Sequence, residues 1–221
     1  MTNPQRHTIA IVGGTGPEGL GLAVRFAMAG HKVIVGSRRI ERAQEAAQKV
    51  LEKAPGQRVE GLENEPAVRQ SDIVVITVPF AGQKETLEGL RDAIGEKVVV
   101  DTVVPLEFIK GRPKALLVPE GSATEQAQAV LPKARVVGAF HNLSAKELMD
   151  TAHGVPSDVV VCGNDAQAKG LVMDLARQIK GARAVDAGGI EVARYIEDIT
   201  ALLLNINRIY KTQSMIKIVG V

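Results

Sequence analysis

The chain reads as an α/β protein with a doubly wound, Rossmann-type parallel sheet and a smaller C-terminal α/β lobe, and three observations carry that reading. A continuously apolar, β-branched run at residues 8–13 leads directly into Gly14-Thr15-Gly16-Pro17-Glu18-Gly19. That segment is a G-x-G-x-x-G turn placed after a strand and at the start of a helix. Strand-like and helix-like segments then alternate along the chain, as a parallel sheet with crossover helices requires. The second strand ends in Ser37-Arg38-Arg39, where a dinucleotide-binding sheet carries the residues that read the ribose of its ligand.

Each element has a local reason. Residues 8–13 are apolar throughout, the pattern of a strand covered on both faces. A helix is expected at residues 20–29 with Gly30 as its C-cap, followed by a second strand at 32–36. Residues 41–53 are rich in Ala, Glu, Gln and Lys and form a helix that Pro55-Gly56 stops. A short strand near 58–61 and a helix near 64–70 precede residues 72–78, the most strand-like segment of all, which Pro79 ends. A helix near 83–94 and a buried strand at 97–101 continue the alternation, and right-handed crossovers give the doubly wound order.

Pro113 and Pro119 break this rhythm, so residues 111–121 are expected as a surface excursion. A helix at 122–131 follows, with Ser122 as N-cap, and then a sixth strand at 135–140. A short helix beyond Leu143, a strand at 158–162, a helix at 165–179, a strand at 183–186 and a long helix at 191–211 complete the chain. No repeat or low-complexity linker interrupts it. Residues 1–148 are therefore expected to form the dinucleotide-binding domain, and 149–221 a smaller lobe packed against it.

Composition narrows the function classes. With 221 residues, 45% of them hydrophobic, the chain can bury a sizeable core. Its 27 basic and 25 acidic residues are spread evenly, so no basic stripe points to nucleic acid. Aromatics make up 3% and tryptophan is absent, which argues against base-stacking platforms. Cys162 is the only cysteine, so a disulfide within the chain is impossible and a reducing, cytoplasmic location is expected. The first eight residues are polar and the apolar runs are too short to span a bilayer, so no membrane association is expected.

The glycine turn is a phosphate cradle in this context. Gly14 permits the tight turn, Gly16 lets backbone N–H groups approach a pyrophosphate, and Gly19 keeps the helix close to the sheet. The positive end of the helix faces the phosphates, and Pro17 suits the first helical position because the N–H it lacks would have no partner. Enzymes that use NAD carry an Asp or Glu about 20 residues past the turn for the ribose 2′-hydroxyl. Here the same place holds Ser37 and Arg38, with Arg42 one helical turn further on. A hydroxyl and guanidinium forks attract a 2′-phosphate that a carboxylate would repel, so the expected cofactor is NADP.

Ligands of such sheets lie across the carboxyl ends of the strands. Thr77-Val78-Pro79, Asp101 to Pro105 and His141-Asn142-Leu143-Ser144 should therefore line the nicotinamide half of a cleft. Val78 and Val104 supply apolar walls, although plain core packing accounts for a single valine equally well. For His141, contact with a ligand and a structural hydrogen bond both remain open. No spacing of metal-ligating residues stands out.

Ile11-Val12-Gly13-Gly14-Thr15-Gly16, Val35-Gly36-Ser37-Arg38-Arg39 and the Val104-Pro105 turn resemble the F420:NADP oxidoreductases. So do residues 136–141, 161–165 and the ending from Leu204 to Lys217, and the likeness spans nearly the whole chain. It implies hydride exchange between NADP(H) and the deazaflavin coenzyme F420. By the same resemblance, Thr15, Gly16, Pro17, Glu18, Ser37, Arg38, Arg42, Val78, Gly82 and Val104 would contact the dinucleotide. Ala145 and Met215 would complete the pocket with His141 alongside. This chain departs from the family where Tyr210 to Met215 replace a glycine-rich segment and where Ser144 replaces a proline.

Hydride transfer between two rings needs stacked rings, reacting carbons about 3–3.5 Å apart and little water, but no protein acid or base. No catalytic side chain is expected on that account. Two other readings remain from the residues alone. A small hydroxyacid dehydrogenase or imine reductase would need a proton donor over its substrate, for which Lys146 and Lys211 are the candidates. A non-catalytic NADP-sensing module would use the apolar final helix to meet a partner. That helix is equally a dimer face or plain core.

Overall fold

The computed structural model describes residues 5–221. The chain runs β1 (Thr8–Val12), α1 (Pro17–Met28), β2 (Lys32–Ser37), α2 (Ile40–Lys53), β3 (Val59–Glu63), α3 (Asn64–Arg69), β4 (Ile73–Ile76), α4 (Phe80–Ile94) and β5 (Val98–Asp101). It continues through β6 (Leu106–Ile109), β7 (Arg112–Ala115), α5 (Ala123–Val130), β8 (Arg135–Gly138), α6 (Ala145–Met149) and β9 (Asp158–Gly163). It ends with α7 (Ala166–Gln178), β10 (Arg183–Gly188), a 3₁₀ turn at Ile190–Val192 and α8 (Ala193–Tyr210).

Eight strands make one sheet in the order β10-β9-β8-β5-β4-β1-β2-β3. From β3 to β8 every pairing is parallel, and strand order reverses between β1 and β4. A crevice opens at such a reversal, beyond the carboxyl ends of the strands. The doubly wound parallel sheet is as expected, and one pairing at its C-terminal end runs the other way: β9 pairs antiparallel with β8, through Val137 opposite Gly163 and Gly138 opposite Cys162. The C-terminal strands thus extend the same sheet. The chain passes through α6 and its flanking loops and returns beside β8 in the opposite direction.

The central strands β1, β2, β4 and β5 are buried on both faces, and the two-residue period divides their side chains. Ile9, Ile11, Val33, Val35, Ile73, Val75, Val98 and Val100 join Leu22 and Phe26 of α1 on one side. Val74, Ile76, Val99 and Val136 meet Leu87 and Leu90 of α4 and Ala123 and Ala127 of α5 on the other. Each fully covered Val, Ile or Leu contributes about 1.5–3 kcal/mol of apolar transfer.

Three local departures from expectation have clear causes. Helix α1 starts at Pro17, three residues early, because Gly16 is extended and proline's fixed φ suits the first position. Helix α4 likewise starts at Phe80, directly behind Pro79. The expected surface excursion overlaps a hairpin, β6 paired with β7. Lys110 and Gly111 form its two-residue turn, with φ of 50° and 75°. Two left-handed residues match the right-handed twist of a hairpin.

Arg25 of α1 is buried and fastens α1 to α6. Its guanidinium donates to the carbonyls of Leu148 (2.7 Å), Glu147 (2.7 Å), Asp150 (2.5 Å) and His153 (3.1 Å). These include carbonyls at the C-terminal end of α6, which that short helix cannot satisfy internally. Replacing Arg25 by methionine keeps the stem and orphans four acceptors. The expected cost is about 3 kcal/mol, read from chemical denaturation, since buried unpaired groups cost roughly 1–3 kcal/mol each and some will recover water.

Candidate active site

A single cleft of about 1330 Å³ lies at the carboxyl ends of the central strands. Its floor is the β1–α1 turn. Gly13 takes φ 73°, which an L side chain rarely adopts, and a Cβ there would sit 2.6 Å from Val78 Cγ1. Gly14 is tied behind the turn, its N–H shared between the carbonyls of Ile11 (3.1 Å) and Gly36 (3.0 Å). A Cβ on Gly19 would fall 2.6 Å from Gly14 Cα and 2.7 Å from Thr77 Oγ1. Gly16, by contrast, has only Gly13 O within 4.0 Å of an added Cβ. No side chain caps α1, so its first N–H groups remain open for an anion.

At one end of the cleft, Ser37 closes β2 and is buried, its Oγ accepting from the N–H of Arg39 at 3.3 Å. Arg38 and Arg42 line the cleft and are exposed, and among the described residues neither is in an ion pair. Arg39, the last residue of the Ser37-Arg38-Arg39 signature, lines it too but leans towards Glu41 at 3.7 Å. The geometry therefore gathers cationic forks around a hydroxyl at the end of β2.

The other end is largely uncharged. Val78, Gly82, Val104 and Ala145 border it, as do Leu203 and Leu204 of α8. His141 is buried there with both ring nitrogens unpartnered, and burial pushes it down to about 3, so it is neutral. The structural hydrogen bond left open for it is absent among the described residues. Phe140 aims it by taking φ 67°, a left-handed strain of about 1–2 kcal/mol, and packs edge-on against Phe26 at 5.7 Å.

The loop after β8 is bolted to α8. Asn142 Nδ2 donates to Ile196 O and Thr200 Oγ1, both at 2.9 Å, and Thr200 Oγ1 donates to His141 O at 2.9 Å. Ser144 caps α6 and donates its Oγ hydrogen to Gln213 Oε1 at 3.1 Å. The two places where the chain departs from the resembled family thus touch each other.

Of the expected site residues, Thr15, Gly16, Pro17, Glu18, Ser37, Arg38, Arg42, Val78, Gly82, Val104, His141 and Ala145 all line this cleft. Gly14 and Met215 do not. Gly14 lies beneath the turn, and Met215 packs half-buried against the main core as the chain returns alongside β9. Gln213 and Ser214 reach the cleft in its place. Lys146 is on the rim and exposed, whereas Lys211 lies outside.

The sequence reading missed Asn64, which accepts from Gly13 N–H at 3.5 Å, and the α8 residues Thr200, Leu203, Leu204 and Asn207. Their signal was hidden because an apolar helix face reads the same in sequence whether it packs into a core or lines a cleft.

Other reactive groups lie outside the cleft. Cys162 is buried and pushed up to about 12, chiefly by desolvation, which leaves it an inert thiol. Asp101 is raised by burial and accepts from Gln83 Nε2 (2.8 Å) and Val103 N–H (2.9 Å), shaping the turn to Val104. Among the described residues, no three of His, Cys, Asp and Glu are placed to hold a metal ion. No described helix is long and apolar enough to cross a membrane.

A Rossmann sheet whose reversal point opens onto an uncapped glycine cradle, cationic at one end and neutral at the other, defines a nicotinamide-dinucleotide oxidoreductase. Residues 8–105 match the family model described as NADP oxidoreductase coenzyme F420-dependent. F420-dependent NADP reductase from Methanocaldococcus jannaschii is 43% identical over 211 residues, 93% of this chain and 94% of that protein. The Methanothermobacter thermautotrophicus enzyme of the same name is 44% identical, covering 90% and 88%. A crystal structure from Arthrobacter sp. FB24, described as a candidate F420-dependent NADP reductase, superposes with TM-score 0.80 at 27% identity, covering 94% and 96%. The chain belongs to the F420-dependent NADP reductase family.

Proposed function

We propose that the protein passes a hydride between NADP(H) and F420 inside this one cleft. The adenosine 2′-phosphate lies between Ser37, Arg38 and Arg42, the pyrophosphate over Thr15 to Glu18, and the nicotinamide between Val78, Val104 and Ala145. The deazaflavin takes the remaining space by His141, under α8. What carries this reading is the continuity of a volume of about 1330 Å³, more than the roughly 300–1,000 Å³ of a pocket for one small molecule.

The chain's own residues do three things in this scheme. The cradle and the arginines fix one ring by its distant phosphates, so positioning comes from contacts remote from the reacting carbon. Apolar walls of valine, alanine and leucine exclude water and give two flat rings a face to lie on. Neutral His141, with both ring nitrogens free, offers one donor and one acceptor to a polar ring edge. F420 supplies the hydride-accepting ring when bound.

His141→Ala is expected to slow turnover about tenfold without abolishing it, as loss of a hydrogen bond worth about 1.4 kcal/mol would. Steady-state kinetics on the folded variant checks this, and complete loss of turnover with NADP binding intact contradicts it. The function itself is tested by mixing the protein with NADPH and F420 and following the deazaflavin absorbance. Bleaching is expected. Oxidation of NADPH only by a keto acid or an imine overturns the reading.

Functionally, residues 1–148 act as the NADP-binding part, and 149–221 complete the acceptor side through α8 and the segment after it. Exposed Tyr195, Leu202 and Ile209 on α8 support a homodimer through that helix. The lone buried thiol supports a reducing, cytoplasmic setting, with small redox cofactors and no nucleic acid as partners.

A further inference from the structure

Glu18 stands at the second position of α1, where an anion-binding helix end has no need of a carboxylate. It lines the cleft, yet its Oε1 is sealed from solvent and has no hydrogen-bond partner. Of the described side chains with a buried, unpartnered polar atom (Glu18, Gln83 and His141), Glu18 and His141 line this cleft and Gln83 does not. Two unpaired polar groups on one cleft indicate a ligand with polar atoms for both.

The cleft that Glu18 lines carries ionisable groups from several elements. Arg38, Arg39 and Arg42 line the cleft from the β2–α2 side, His141 from the loop after β8, and Lys146 from α6. None of them hydrogen-bonds the carboxyl among the described residues; the residue as a whole is half-buried, and desolvation centred on the sealed Oε1 pushes Glu18 up to about 8.

We propose that the dinucleotide binds with uptake of one proton by Glu18, whose neutral carboxyl then donates a hydrogen bond to the bound pyrophosphate–ribose segment. This rests on the reading that the cleft takes NADP(H). An ionised Glu18 would oppose the pyrophosphate at the helix end, whereas the acid form adds a donor to the N–H groups already there. The balance is simple: carboxylate, proton and dinucleotide combine to a complex containing the carboxylic acid. No bond to carbon changes.

Affinity then falls as pH rises through about 8. With the complex protonated throughout, the dissociation constant for NADP+ is roughly tenfold larger at pH 9 than at pH 7, by the linkage of proton binding to ligand binding. The 2′-phosphate ionises near pH 6 and affects every variant equally.

The test is calorimetric titration with NADP+ from pH 6.5 to 9.5, in pairs of buffers that differ in ionisation enthalpy. The wild-type protein is expected to take up nearly one proton per dinucleotide at pH 9 and to weaken as described. E18Q is expected to bind with a flat profile above pH 7 and no proton uptake. A flat wild-type profile without proton uptake overturns the inference while leaving the cofactor assignment intact, as does an E18Q profile that follows the wild type. No binding of NADP+ at any pH overturns both. A flat wild-type profile overturns the inference even if E18Q fails to fold, and E18D then serves as the second variant, expected to keep the proton uptake only if its shorter carboxyl still reaches the dinucleotide.

Discussion

Gly19→Ala is expected to weaken NADPH binding at least about a hundredfold and to destabilise the fold by roughly 2–3 kcal/mol, the upper range for overpacking a tight core. The added methyl would meet Gly14 Cα at 2.6 Å and Thr77 Oγ1 at 2.7 Å. Neither side can yield cheaply. Gly14 is pinned by its N–H to Ile11 O and Gly36 O, and Thr77 Oγ1 is bonded to Val12 O at 3.0 Å. Helix α1 must therefore lift away from the turn, carrying its open N–H groups off the pyrophosphate. Thermal denaturation with and without NADPH reads both effects, because a ligand that binds only the folded state raises the melting temperature. The wild-type protein should gain stability on adding NADPH; the variant should melt earlier and gain nothing. A variant that melts like the wild type and shifts equally contradicts the cradle.

Removing Arg38 and Arg42 together, each to alanine, should weaken NADPH about a hundredfold and leave NADH within a few-fold of its starting value. Charge-assisted hydrogen bonds contribute about 1.5–3 kcal/mol each, and exposure of both arginines places them at the low end. The single Arg38→Ala change should cost about tenfold, with a larger loss at low ionic strength, where screening is weakest. Binding titrations with both dinucleotides measure this directly. Equal losses for NADH and NADPH would move the arginines from reading the phosphate to holding the fold.

The sequence made the nucleotide half of the molecule legible for a definite reason. A Cβ on Gly13, Gly14 or Gly19 would fall 2.6–2.8 Å from a neighbouring atom while Gly16 is left open towards the cleft, so the spacing survives as a readable pattern. The buried parallel strands likewise declare themselves, since covering on both faces leaves unbroken Val and Ile runs at β1, β4 and β5. What stayed hidden depends on pairings at long range. That β9 joins β8 antiparallel is a long-range pairing that no residue within β9 announces. The hairpin turn at Lys110-Gly111 uses a left-handed lysine, whose type gives no warning of that conformation.

The acceptor side was less readable for the same reason. Thr200 and Asn142 meet across 58 residues, and Ser144 and Gln213 across 69. Met215 was assigned to the pocket by resemblance, yet it points into the core while Gln213 and Ser214 reach the cleft. His141 stood out in the sequence, but only the left-handed Phe140 before it explains why a buried histidine keeps both nitrogens unpaired.

The central claim is that two rings lie face to face in one water-poor cleft and exchange a hydride without a protein intermediary. A single turnover with NADPH deuterated at the transferring position of the nicotinamide, followed by mass analysis of the reduced F420, tests it most directly. The label should arrive on the deazaflavin carbon undiluted by solvent protons. Label lost to water, or reduced F420 formed without it, would contradict the account.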